Sequence, residues 1–124
     1  MKIEHVALTI SNPDEINNFY HDILGMNEEK SFTLVKNFVV NIFGLNAEPS
    51  VYQLQKDELI LEIFVIPKQK KENFNHICLV VSDRETLFNK AKKNSYGCIR
   101  IERQVYDLMF IKDKSGNIFE IKER

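Results

Sequence analysis

Glu4-His5-Val6-Ala7-Leu8-Thr9-Ile10-Ser11 and Asn75-His76-Ile77-Cys78-Leu79-Val80-Val81-Ser82 are two versions of one phrase, their histidines 71 residues apart. Each is apolar over strand length and then breaks into a helix-start signal. After the first, Asn12 is positioned as N-cap, Pro13 as the first helical residue and Glu15 as the far side of a capping box. After the second, Ser82-Asp83-Arg84-Glu85 reads as another Ser-x-x-Glu box. Ile16, Phe19, Tyr20, Ile23 and Leu24 then recur at helical spacing and stop at Gly25, which predicts an amphipathic helix. The second helix is more polar, with Leu87, Phe88 and Ala91 on one side, and is expected to stop near Gly97.

A second pair of phrases closes each half. Leu61-Glu62-Ile63-Phe64 matches Phe119-Glu120-Ile121-Lys122, with the glutamates 58 residues apart. The spacing shrinks between the two matches, so the first half carries about 13 additional residues between its helix and its last strand. Residues 36–48 are the natural place for them, since Phe38-Val39-Val40-Asn41-Ile42-Phe43-Gly44 reads as a short apolar helix with a glycine stop. Strands are expected near 29–35, 51–55 and 59–66 in the first half. In the second they are expected near 99–103, 106–111 and 118–122, with the turn Asp113-Lys114-Ser115-Gly116-Asn117 before the last. The predicted fold is α+β: two tandem βαβββ modules, about 1–67 and 73–124, forming a curved mixed β-sheet within one domain of 124 residues.

Seventeen basic residues against 18 acidic ones leave a formal charge of −1, which gives no electrostatic reason to expect nucleic acid or an anionic membrane as partner. No apolar run approaches the length of a membrane span. Met1 leads straight into the first strand pattern without a leader segment, so a cytoplasmic location is expected. The basic cluster Lys68-Gln69-Lys70-Lys71 reads as a solvated linker. Cys78 and Cys98 form no CxxC pair and are expected to be buried thiols.

The duplication isolates four polar residues at matching positions. On the first strand Val6, Leu8 and Ile10 form the row that meets the helix, which leaves His5 on the other row with Ile3, Ala7 and Thr9. In the second copy Ile77, Leu79 and Val81 face the helix, and His76 shares its row with Phe74, Cys78 and Val80. Glu62 lies opposite in facing to Leu61 and Ile63, and Glu120 to Phe119 and Ile121. All four therefore fall on the non-helix face of apolar strands, where charge is costly unless paired or metal-bound. A lone strand histidine is usually just hydrogen-bonded, and a lone glutamate near a strand end is usually wet. Two imidazoles and two carboxylates at paired positions make a stronger case for one divalent metal ion, Ni²⁺, Zn²⁺, Co²⁺, Mn²⁺ or Fe²⁺.

Four segments carry a resemblance to a known family: Ile3-Glu4-His5-Val6-Ala7-Leu8, Phe19-Tyr20-His21-Asp22-Ile23-Leu24-Gly25-Met26, Phe74-Asn75-His76-Ile77, and Asp113 through Ile121. Over essentially its whole length the chain resembles the vicinal-oxygen-chelate superfamily of glyoxalase I, fosfomycin-resistance proteins, methylmalonyl-CoA epimerase and extradiol dioxygenases. Bacterial-type glyoxalase I uses a His, Glu, His, Glu set, which His5, Glu62, His76 and Glu120 match. The resemblance implies a metal-dependent lyase or isomerase acting through an enediolate on a small hemithioacetal or α-hydroxy-carbonyl substrate. Glu120, with Glu62 as its symmetry mate, would then shuttle the proton. Glyoxalase I usually carries an arginine four residues after the first histidine, where this chain has Thr9, and the apolar insertion is also outside the usual pattern. That segment is suited to form a lid or pocket wall, or simply to cap the sheet. Tyr52, Tyr106, Met109 and Phe110 are further candidates to line a cavity. An acyl-CoA epimerase and a non-catalytic small-molecule-binding module are the alternatives. Many relatives build their sites across a twofold interface, so the resemblance also implies a homodimer.

Overall fold

A computed structural model describes residues 2–67 and 75–124. The expected linker at 68–71 and the row position of Phe74 lie outside the described residues. The chain divides into two compact units, Met1–Gln69 and Lys70–Arg124, and each contains its own four-stranded mixed sheet. Among the described residues no helix is long and apolar enough to cross a membrane.

The first module runs β1 (Val6–Ile10), a π-helix (Ile16–His21), β2 (Asn27–Thr33), α1 (Lys36–Phe43), β3 (Ser50–Lys56) and β4 (Leu59–Val65). Its strand order is β1-β4-β3-β2. The second runs β5 (His76–Val81), α2 (Arg84–Lys93), β6 (Gly97–Ile101), β7 (Leu108–Lys112) and β8 (Ile118–Glu123), in the equivalent order β5-β8-β7-β6. In both, the last strand inserts between the first strand and its antiparallel neighbour and pairs with the first in parallel. The fold is α+β, two tandem modules of one topology.

The helix-facing rows are the less exposed ones, as the period-two pattern requires: half-buried along most of β1 and β5, and sealed on the last strands. In the first module Ile10, Leu61 and Ile63 are sealed from solvent together with Phe19, Tyr20, Ile23 and Leu24 of the helical stripe. Asn12 does not cap that segment as expected: the N-cap position falls at Glu15, with no side-chain cap bond, and the Asn12 side-chain oxygen accepts the Asp14 N–H at 2.9 Å in the turn before it. The winding departs from expectation. Asp22 N–H donates to the Asn17 carbonyl and Leu24 N–H to that of Phe19, so the turns close five residues back in π fashion. The wider turn lets Phe19 and Tyr20 both sit wholly inside, edge to face at 5.1 Å. Gly25 ends the segment at φ +73°, and Lys56 Nζ reaches from the end of β3 to the Leu24 carbonyl at 2.9 Å.

In the second module Phe88, Ala91, Met109, Ile111, Phe119 and Ile121 form the interior. Two boundaries differ from the sequence reading. The N-cap of α2 is Asp83 and not Ser82: its carboxylate accepts the Thr86 N–H at 2.9 Å and the Thr86 hydroxyl at 2.7 Å. Glu85, expected to complete a box with Ser82, instead bonds the Arg100 guanidinium. The helix stops at Asn94, before Ser95 at φ +65°, and Gly97 already begins β6. The cysteines also depart from expectation. Cys78 is exposed because it shares the outward row of β5, and Cys98 is only partly buried.

Candidate metal-binding half-sites

Parallel pairing of the first and last strands sets the geometry of each polar pair. Ala7 stands across from Glu62, and Cys78 across from Glu120, in the same register. His5, one residue before β1, and His76, the first residue of β5, are therefore diagonal neighbours of the two carboxylates on the same faces. His5 Nε2 lies 3.4 Å from Glu62 Oε1, and His76 Nε2 lies 3.9 Å from Glu120 Oε2. Both glutamate side chains are 16% exposed and the histidines 42% and 47%. The carboxylates thus sit mostly inside while the imidazole rings remain reachable.

The turn before β8 fixes where Glu120 falls. Buried Asp113 accepts the Ser115 N–H at 3.0 Å and the Asn117 N–H at 2.8 Å, and Gly116 takes φ +88°. Asp113 N–H in turn donates to the Asn117 carbonyl at 3.1 Å, which closes the loop and starts the strand at Ile118.

The spacings suit a shared ion. Two donors each about 2.1 Å from one tetrahedral ion stand roughly 3.4 Å apart, the separation seen in the first module. The second pair is wider by about 0.5 Å, within the reach of a small side-chain rotation. An imidazole nitrogen and a carboxylate oxygen are donors suited to Zn²⁺, Mn²⁺, Fe²⁺, Co²⁺ and Ni²⁺. Each module brings together one such pair. Among the described residues no group of three or more His, Cys, Asp or Glu is arranged to hold a metal.

The surroundings of the two pairs differ, and among the residues responsible the sequence reading passed over Phe64, Gln53 and Lys122. Beside Glu62 on the same face is Phe64, which meets Phe43 of α1 edge to face at 5.7 Å. The insertion therefore packs on the face that carries the His5–Glu62 pair. Gln53 of β3 is directly opposite Glu62. In the second module the position equivalent to Phe64 is Lys122, whose Nζ lies 3.6 Å from Glu120 Oε1, and Phe110 stands opposite Glu120. Cys78 stands across from Glu120 on the neighbouring strand. Loss of hydration around its sulfur and the nearby carboxylate raise its pKa, against the opposing charges of Lys122 and Arg124, so it is a neutral thiol at pH 7. Lys122 and Cys78 each lie two residues from a candidate ligand, so the parity that singled out His76 and Glu120 also pointed to them. Of the other lining candidates, Met109 is fully buried, while Tyr106 is 46% exposed in the loop before β7.

The profile of the Glyoxalase/Bleomycin resistance protein/Dioxygenase superfamily matches residues 2–121. Among curated proteins none matches the chain. Among solved structures, the chain is similar to a glyoxalase family protein from Enterococcus faecalis, with a TM-score of 0.72 and 19% identity, covering 97% of this chain and 95% of the other. It is also similar to the E126Q mutant of the fosfomycin resistance protein FosX from Listeria monocytogenes, complexed with Mn(II) and 1S,2S-dihydroxypropylphosphonic acid. That match has a TM-score of 0.75 and 15% identity, over 98% and 90% of the two chains. At these identities the structural likeness establishes the fold, and the profile establishes the family. The chain belongs to the Glyoxalase/Bleomycin resistance protein/Dioxygenase superfamily.

Proposed function

We propose that the protein is a metal-dependent lyase or isomerase of glyoxalase I type, with His5, Glu62, His76 and Glu120 as the ligands of one divalent ion. The observation that carries this reading is the repeated geometry. Two parallel strand pairs of equal register each hold a histidine imidazole within 4 Å of a mostly buried glutamate. When bound, the ion supplies Lewis-acid stabilisation to charge developing on two neighbouring substrate oxygens.

The chain's own residues do the rest. The carboxylates are the proton carriers, with Glu120 as the principal one and Glu62 as its mate in the duplicated fold. The ammonium of Lys122 orients the Glu120 carboxylate. Helix α1, anchored through Phe43 on Phe64, serves as an apolar wall that keeps water from the Glu62 side. The substrate is a small hemithioacetal or α-hydroxy-carbonyl compound, and the working form is a homodimer.

Elemental mass spectrometry on protein purified without chelators tests the reading. The expected result is close to one metal per chain in the wild type, lost in His5→Ala and in His76→Ala. A wild type that is empty and also refuses added Ni²⁺ and Zn²⁺ would overturn it. With metal loaded, turnover of methylglyoxal in the presence of a panel of thiols tests the reaction class, and failure with every thiol at full occupancy would exclude it.

A further inference from the structure

We infer that the substrate taken at the His5–Glu62 pair carries an apolar substituent the size of an aromatic ring, and that Phe43 and Phe64 select for it. The substrate class so named rests on the function proposed above.

Strand register places the residues. On the face of β4 that carries Glu62, Phe64 stands across from Thr9 of β1 and Val51 of β3, and Val51 across from Phe32 of β2. Residues opposite one another in a ladder share a face. Thr9, Phe64, Val51 and Phe32 therefore form one row without an ionisable side chain, beside the row of Ala7, Glu62, Gln53 and Lys30. Val51 and, on α1, Val39 are fully buried. Phe43 is not: it meets Phe64 edge to face at 5.7 Å and still leaves half its surface open. A helix that only capped the sheet would turn such a ring inward, as it does Val39. Two cations stand at the margin. The Lys30 ammonium lies 5.8 Å from the centre of the Phe32 ring, and Lys36 is about 10 Å along the helix axis from Phe43. The centre of the patch is uncharged, so it matches an uncharged, apolar part of a ligand.

The duplicated fold supplies a comparison. The second module builds the equivalent strand order with no helix between β6 and β7, and has Lys122 where the first has Phe64. The topology therefore requires neither α1 nor an aromatic ring at this position. The patch is continuous with the polar pair, since Phe64 follows Glu62 by two residues on one face. That step is about 7 Å along the strand, the reach of a phenyl group on a ligand whose oxygens sit at the pair.

Hydroxyacetone and α-hydroxyacetophenone share the α-hydroxy-ketone end and differ in a methyl against a phenyl group on the carbonyl carbon. Full-length protein is titrated with each under heteronuclear NMR, metal-free and after addition of Zn²⁺, with bound zinc measured on the same samples. The phenyl compound should bind about tenfold more tightly, with saturable shifts at the amides of Phe43 and Phe64. Phe43→Ala, and Phe64→Lys, which installs the second module's residue, should each reduce that ratio to about twofold or less. Phe38→Ser, about 140° around α1 from Phe43, should leave it unchanged. Equal affinities, or a preference that survives both Phe43→Ala and Phe64→Lys in folded protein, would overturn the inference. So would a Phe43→Ala chain that falls from dimer to monomer in sedimentation with its phenyl preference intact, because α1 would then be covered by a second copy. Protein that takes up no Zn²⁺ would count against the metal reading, while the ratio in the metal-free protein still decides the role of the two rings.

Discussion

Gly25 is the position at which a single methyl group has a cost that can be worked out. Its φ of +73° is left-handed, and placing an L side chain there costs about 1 kcal/mol. A Cβ built on Gly25 would also stand 2.9 Å from Lys56 Nζ, the group that bonds the Leu24 carbonyl at the end of the π-helix. The lysine is flexible and will move away, so the expected loss is that of its charge-assisted bond, about 1 kcal/mol at this partly exposed site. Gly25→Ala should therefore destabilise the protein by about 2 kcal/mol. For a chain of this length that lowers Tm by about 6–10 °C. The assay is thermal unfolding followed by circular dichroism, in a two-by-two set with Lys56→Met. On the Lys56→Met background, Gly25→Ala should cost only the backbone share of about 1 kcal/mol. An unchanged Tm in Gly25→Ala would refute the strain argument. A full loss on both backgrounds would refute the role given to Lys56.

Three other outcomes are expected. Asp83→Ala should lower Tm at neutral pH by removing the cap of α2. The bonds from Thr86 hold the Asp83 carboxylate below its ordinary pKa, so the cap's contribution is complete above the unfolded value and fades as pH falls through the folded one. The Tm gap between wild type and variant should narrow on acidification, and a gap independent of pH would count against this. Phe43→Ala should cost about 1–2 kcal/mol through loss of the edge-to-face contact with Phe64, measured by urea unfolding. It should also raise KM for apolar substrates more than it lowers kcat if α1 is a pocket wall. Glu120→Gln should retain fold and metal while lowering kcat by at least about a hundredfold, as expected for loss of a general acid–base, and near-normal turnover would remove Glu120 from that role.

Much of the fold was legible because it rests on periodicity and duplication. The repeated His5 and His76 phrases mark β1 and β5, and the repeated Glu62 and Glu120 phrases mark β4 and β8, within one or two residues. The pairing of His5 with Glu62, and of His76 with Glu120, followed from parity once those strands were neighbours. The apolar segment after residue 35 is a helix ended by Gly44 at φ +67°, as its glycine stop foretold. What escaped reading depended on local competition. Ser82 and Asp83 are both good caps, and only the dihedral angles at the end of β5 decide which meets Thr86. The stripe Ile16, Phe19, Tyr20, Ile23, Leu24 suits an α-helix and a wider coil alike, and the packing of adjacent Phe19 and Tyr20 selected the latter. Cys78 was misjudged because residue type suggested burial whereas its row on β5 is the outward one. Lys122 lay two residues from Glu120 in plain view, but its contact with that carboxylate shows only once the side chains of β8 are placed.

The parallel pairing of first and last strands also makes each polar pair a clasp. His5 and Glu62 lie at opposite ends of their module's chain, as do His76 and Glu120 of theirs, and they meet only after every strand between them has found its place. A half-folded module has no binding pair to offer, so affinity for an ion reports completion of the sheet. Conversely, an ion held there closes a loop of more than fifty residues in the first module and more than forty in the second. Long loops are the ones in which such a clip removes the most freedom from the unfolded chain. Metal supply would then set the lifetime of the folded protein as well as its activity, with depletion first seen as faster proteolysis.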